Sequence, residues 1–96
     1  MFYYVYLLQS EMDGRYYIGY TSNLKRRLIE HNKGLNFSTK SAKPWKIIFF
    51  EGYLDEKDAK RREKYLKTSQ GARLLKRMIK EYLYNKKSKN NKTFTT

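Results

Sequence analysis

Two stretches of this chain set chemically capable side chains at helical spacing. Arg27 and His31 are four residues apart in Leu24-Lys-Arg-Arg-Leu-Ile-Glu-His31. One helix would therefore carry a guanidinium and an imidazole together, flanking a buried stripe of Leu24 and Leu28, while Lys25 and Arg26 point elsewhere. Further on, Ala59 and Leu66 mark the inner face of a second helix, and Glu63 falls between them with Arg62 alongside. A carboxylate on an apolar stripe is costly unless it is paired or binds a cation. Spacing leaves both roles open: Glu63 is an ion-pair partner of Arg62 or Arg27, or it holds a metal. His31 is likewise either a helix-end residue satisfied by a carbonyl or a participant in chemistry. The chain has no cysteine and one histidine, which excludes a thiolate zinc site and a histidine cage. Any metal must be held by oxygen, which points to magnesium or manganese.

The charge balance names the kind of partner. Twenty-two Lys and Arg against nine Asp and Glu give +13 on 96 residues. Subtracting the four lysines of the last eleven residues (Lys86, Lys87, Lys89, Lys92) leaves +9 on residues 1–85, so the domain is basic without its tail. Such an excess opposes compaction by self-repulsion and suits a polyanion, nucleic acid first among them. The apolar start, Met1–Ser10, is short and followed by Glu11 and Asp13, unlike a signal peptide. No segment approaches the roughly 20 apolar residues of a membrane span, so no membrane partner is expected and the cytoplasm is the expected location.

The elements that must position these groups are legible in order. Phe2–Gln9, aromatic and β-branched, reads as a strand. A turn centred on Asp13-Gly14 leads to a second strand, Arg15–Tyr20. Thr21-Ser22-Asn23 offers N-cap chemistry for a helix from about Leu24 to Lys33, ended by Gly34. Leu35–Pro44 lacks periodicity and reads as a loop, and Trp45–Leu54 as a third strand. Asp55-Glu-Lys-Asp58 resembles a capping box opening a helix to about Lys67, and Gly71–Tyr84 reads as a third helix. On that helix Leu74, Leu75, Met78, Ile79, Tyr82 and Leu83 fill one half, and Arg73, Lys76, Arg77 and Lys80 an arc on the other. The fold class is α/β: a small three-stranded antiparallel sheet flanked by helices, ordered ββαβα plus a C-terminal helix. Residues 1–85 form the single domain and residues 86–96 a basic tail expected to be disordered.

Placed on those elements, five motifs resemble the GIY-YIG nucleases. They are Tyr4-Val-Tyr6 on the first strand, Tyr17-Ile-Gly19 with Tyr20-Thr21 on the second, Asn23-Leu-Lys-Arg-Arg27-Leu with His31, Pro44-Trp45, and Arg62-Glu63. Tyr4 stands where the family name has glycine. The resemblance covers about residues 2–80 and is nearest to small stand-alone bacterial members, often labelled excinuclease C-subunit-like, and to the nuclease domain of flap and junction endonucleases.

The resemblance implies a metal-dependent endonuclease acting on DNA, on branched or damaged substrates among others. It implies a role for each matching position. Glu63 holds one Mg2+ or Mn2+, Arg27 grips the scissile phosphate, Tyr6 is the favoured general base with Tyr17 beside it, and His31 orients one of these groups. Strand packing is the plain alternative for any one of ten tyrosines, with Tyr3, Tyr53 and Tyr65 expected to be structural. A four-residue loop, Ser10–Asp13, would set Tyr6 directly opposite Tyr17; a five-residue loop would put them on opposite faces. Tyr20, Lys40, Lys43, Arg73, Lys76, Arg77 and Lys80 are the candidate DNA-binding residues, with Ser38, Thr39 and Ser41 as phosphate-binding hydroxyls in the loop. Two other functions stay open: a basic nucleic-acid-binding module of the same fold without turnover, and an RNA-acting relative. Ninety-six residues leave no room for the extra DNA-binding modules of larger relatives, so a DNA-targeting protein partner is a further expectation.

Overall fold

The computed structural model describes residues 1–85. The expected disordered tail, residues 86–96, lies outside the described residues. Strands β1 (Tyr3–Ser10), β2 (Tyr16–Thr21) and β3 (Trp45–Tyr53) form one antiparallel sheet in the order β2-β1-β3. β1 holds the centre because it is apolar on both sides: every residue from Val5 to Ser10 is buried. Val5 and Leu7 face one layer, where they meet Ala59, Leu66 and Leu75; Tyr6 and Leu8 face the other, with Ala42 and Trp45.

The layer on the Tyr6 side is α1 (Leu24–Asn32) and the loop that follows it. Asn23 caps α1, its side-chain oxygen accepting from the Arg26 N–H at 3.0 Å, and Gly34 at φ +76° turns the chain out of the helix. The loop is better ordered than its composition implies. It contains a short 3-10 helix, Lys40–Ala42. Ser10 Oγ donates to the Ala42 carbonyl, the Asn32 amide brackets the backbone of Trp45, and the Trp45 indole N–H donates to the Thr39 carbonyl at 2.9 Å.

The opposite layer is α2 (Glu56–Leu66) and α3 (Ser69–Met78). Asp55 caps α2 through the Lys57 N–H at 2.8 Å, while Asp58 turns to Arg61 instead of closing a capping box. Thr68 caps α3 through the Gly71 N–H, so that helix starts two residues before the sequence suggests. Gly71 is there for closeness: a Cβ on it would stand 2.0 Å from the Tyr65 carbonyl oxygen at the α2–α3 corner. The expected single helix over Gly71–Tyr84 is interrupted at Ile79, and residues 80–85 are helical again. The stripe predicted along it is therefore split at Ile79, which is packed against the core.

Register is where the sequence reading needs correction. Tyr6 pairs with Gly19, and Tyr17 with Leu8. The loop closes at Ser10 and Arg15, with the Ser10 N–H donating to the Arg15 carbonyl and Gly14 at φ +81°. This shifts the pairing by two residues from the expected Tyr6–Tyr17 opposition. An even shift preserves sidedness, so the two tyrosines still share a face as diagonal neighbours.

Candidate functional site

Tyr6 is the centre of the polar cluster on the α1 side. Its ring lies flat over Gly19 on β2: a Cβ there would sit 2.3 Å from the Tyr6 hydroxyl oxygen. Glycine at this position is what lets the hydroxyl cross β2 and meet α1. There it is hydrogen-bonded to His31 Nε2 at 2.9 Å. His31 is fully buried, and its Nδ1 is 2.7 Å from Thr39 Oγ1. Thr39 Oγ1 in turn donates to the Asn36 carbonyl. That last bond is long, 3.5 Å; with the Thr39 hydroxyl turned towards it, Thr39 accepts from Nδ1–H and Nε2 is left to accept from Tyr6. Tyr17 stacks edge-on against the same imidazole, with ring centres 5.1 Å apart.

The charges around this hub have physical consequences. Burial pushes the Tyr6 phenol up to about 12, with Tyr17 and Glu63 adding to the rise and the Arg27 guanidinium opposing it. Burial, helped by Arg27, lowers His31 below its usual value, so the imidazole is neutral at pH 7. Arg27 donates to the Tyr20 carbonyl through Nη1 at 3.5 Å. Its Nε is buried and makes no hydrogen bond among the described residues, although Glu30 Oε1 lies 3.1 Å away out of line. The anion this nitrogen faces is Glu30, while the Arg27 side chain as a whole is 33% exposed and so open to a further anion from solvent.

Glu63 belongs to α2, on the other layer, yet its field reaches both Tyr6 and Tyr20. Neither expected ion-pair partner takes it. Arg62 pairs with Glu51 at 2.5 Å and Arg27 with Glu30, whereas Glu63 pairs with Lys67, one helical turn on, at 3.2 Å. Helix geometry favours that local partner, and the Glu63 side chain keeps 24% of its surface exposed. Among the described residues no group of three or more His, Asp or Glu could form a closed metal cage. One carboxylate fits a divalent ion held largely by water and substrate oxygens, and does not fit a structural metal.

The remaining candidates divide between the two layers. Lys40 and Lys43 are exposed in the loop beside Thr39, on the Tyr6 side. Arg73, Lys76 and Arg77 are exposed on α3, in the opposite layer, with Lys80 past the break at Ile79. Tyr20 is occupied: its hydroxyl donates to the Glu56 carboxylate, an anion that would repel a phosphate there. Thr39 is fully buried under His31 and is not a surface hydroxyl for phosphate. His31 is satisfied by side chains and not by the carbonyl that its helix-end position suggests. Of the tyrosines expected to be structural, Tyr3 stacks on Tyr20, Tyr53 bonds Glu51, and Tyr65 lies against Arg62. Sequence reasoning did not single out Thr39 as the anchor of the imidazole. A buried threonine in a Ser/Thr/Lys/Asn-rich loop has no compositional mark.

Known proteins place this geometry. A UPF0213 protein of Streptococcus pneumoniae is 40% identical over 65 residues, covering 67% of this chain and 65% of its own length. The chain thus spans just under two thirds of that relative. A UPF0213 protein of Staphylococcus haemolyticus is 35% identical over 79 residues, 81% of this chain and 94% of that protein. A structure-specific endonuclease subunit SLX1 homolog of Drosophila persimilis is 43% identical over 56 residues, 49% of this chain but 19% of that protein. The solution structure of a UPF0213 protein from Bacillus halodurans superposes with a TM-score of 0.51 at 27% identity, covering 81% of this chain and 85% of that one. Residues 2–77 match the GIY-YIG catalytic domain, and the chain belongs to that family.

Proposed function

We propose that this protein is a divalent-metal-dependent endonuclease that hydrolyses phosphodiester bonds in DNA. Its family and its similarity to a structure-specific endonuclease subunit support nuclease activity. The observation that carries the finer reading is the directed chain from the Tyr6 hydroxyl to a neutral His31. With a pKa of about 12, Tyr6 is almost never a free phenolate at neutral pH. It does not need to become one. As Tyr6 oxygen takes a proton from the attacking water, its own proton passes to His31 Nε2, whose lone pair burial keeps available at neutral pH. The water oxygen forms the new bond to phosphorus and the bond to the leaving oxygen breaks.

Arg27 neutralises the phosphoryl oxygens through its planar fork, a geometry lysine does not reproduce. Tyr17, half-buried beside the same imidazole, orients water or phosphate. Glu63 would hold the metal, Mg2+ or Mn2+, which when bound supplies Lewis-acid stabilisation of phosphate charge. Among the described residues no helix is long and apolar enough to cross a membrane. The relative's structure-specific activity makes branched DNA the first substrate class to examine, and a targeting protein partner is part of the same proposal.

Glu63→Gln tests the reading on labelled linear, nicked, flap and four-way DNA with magnesium, manganese or chelator. Cleavage should be metal-dependent in the native protein and lost in the variant, with DNA binding retained. Metal-dependent cleavage at the native rate in Glu63→Gln would remove Glu63 from the mechanism. A companion pair, Tyr6→Phe and Tyr17→Phe, assigns the base: the Tyr6 change should cost the larger factor in kcat.

A further inference from the structure

Next to the buried hub, the same sheet face is open and aromatic. Phe50 is the cross-strand partner of Tyr6 on β3, and Gly52 that of Tyr4, so all four residues belong to one face. Tyr6 is 2% exposed, whereas Phe50 is 54% and Phe2 48% exposed. α1 and its loop cover one end of this face and leave the other bare. The rings touch in series: Phe2 to Tyr4 at 6.3 Å between centres, and Tyr4 to Phe50 at 6.0 Å, nearly edge-on. Gly52 leaves room for the two rings: a Cβ on it would stand 3.3 Å from the Phe2 ring and 3.4 Å from the Tyr4 ring, so that the Phe2 ring would have to give by a few tenths of an ångström. Tyr4 is also the residue that stands where the family name has glycine.

We infer that Phe2, Tyr4 and Phe50 form a stacking platform for unpaired bases of a nucleic-acid strand running through the adjacent site. This rests on the nuclease reading, and it names the substrate feature: a phosphodiester flanked by bases free of a duplex. Exposed aromatic faces on the strand next to Tyr6 are what a flexible nucleic-acid strand needs, because every base has a π-face. The +13 charge of the chain complements the backbone that carries those bases. A paired base, already stacked within a duplex, has no face to offer. The platform therefore favours flaps, splayed ends and single strands over continuous duplex.

The test uses the full chain, without divalent ion, and two fluorescent probes of equal length and charge: a short oligothymidylate and its abasic counterpart. The native protein should bind the base-bearing probe more tightly by about 5- to 150-fold per stacked base. Phe2→Ala with Phe50→Ala should remove that preference and leave abasic affinity unchanged, which also shows that the variant is folded. Phe50→Trp should keep the preference and Phe50→Leu should lose part of it, separating stacking from plain apolar contact. Equal binding of the two probes by the native protein overturns the platform. So does a preference that survives the double change, or dimerisation that the double change abolishes, which would make the face a contact between copies. Flap cleavage with magnesium, run on the same preparations, reports separately on the nuclease reading. Cleavage without base preference overturns only the platform, and base preference without cleavage only the hydrolytic step.

Discussion

Gly19→Ala is the smallest change that should disable the site, and its size can be worked from the geometry. The added Cβ would stand 2.3 Å from the Tyr6 hydroxyl oxygen and 2.4 Å from Cζ. Ordinary contact begins near 3.4 Å, so the phenol must move by about 1 Å. Tyr6 is enclosed, and its hydroxyl is held at 2.9 Å by His31. It cannot move that far and keep the bond. Overpacking of a close-packed core costs about 1–3 kcal/mol, and the lost buried hydrogen bond about 1 more. The total, about 2–4 kcal/mol, is a large share of the roughly 5–15 kcal/mol of a domain this size. Urea unfolding should show the loss, and the thermal midpoint should fall by about 10 °C or more. Cleavage should fall further than stability explains: a 1 Å displacement of a reacting group costs on the order of 10²-fold, measured as kcat on protein shown to be folded. A cycle with Tyr6→Leu isolates the clash, because with the phenol gone the alanine should cost less than it does alone. Native kcat and native stability in Gly19→Ala would refute the account of how Tyr6 is placed.

Three further outcomes are expected. His31 has a lowered folded pKa, so its contribution to stability is complete above the unfolded value of 6.5 and is lost as pH falls through the folded one; unfolding titrations should show stability declining below pH 6.5, and His31→Gln should flatten that decline. Tyr6 has a raised one, so its contribution is complete below pH 10 and is lost as pH rises towards about 12; Tyr6→Phe should reduce this alkaline loss in the same titrations. Lys40→Ala with Lys43→Ala should weaken DNA binding across unrelated sequences and lower the log-log salt slope by roughly one for each phosphate no longer neutralised, whereas Lys76→Ala with Lys80→Ala, in the opposite layer, should do less; equal, salt-independent losses would place the DNA elsewhere.

How much of this was legible follows from how far apart the determining residues are. The capped first helix, the apolar third strand and the Asp55 cap are local, set by capping and periodicity within a few residues, and they stand where the sequence puts them; the hairpin forms too, but with its register two residues from the expected one. Arg27 and His31, one helical turn apart, could be paired from spacing alone. The break at Ile79 was invisible because the apolar pattern runs on through it.

The sequence by itself determined the inventory: a strong positive charge, no cysteine and one histidine, and polar groups at helical spacing on the expected helices. Tertiary structure decided how they are coupled. The Ser10–Arg15 closure, and not strand composition, set Gly19 opposite Tyr6 and let the phenol cross to α1. The long loop had to fold back before Thr39 could reach the imidazole. Glu63's choice of Lys67 over Arg62 was settled when Glu51 on β3 took the arginine. The last two depend on residues far apart in the chain, which periodicity along one element does not report; the first is a local choice of turn closure that strand alternation leaves open.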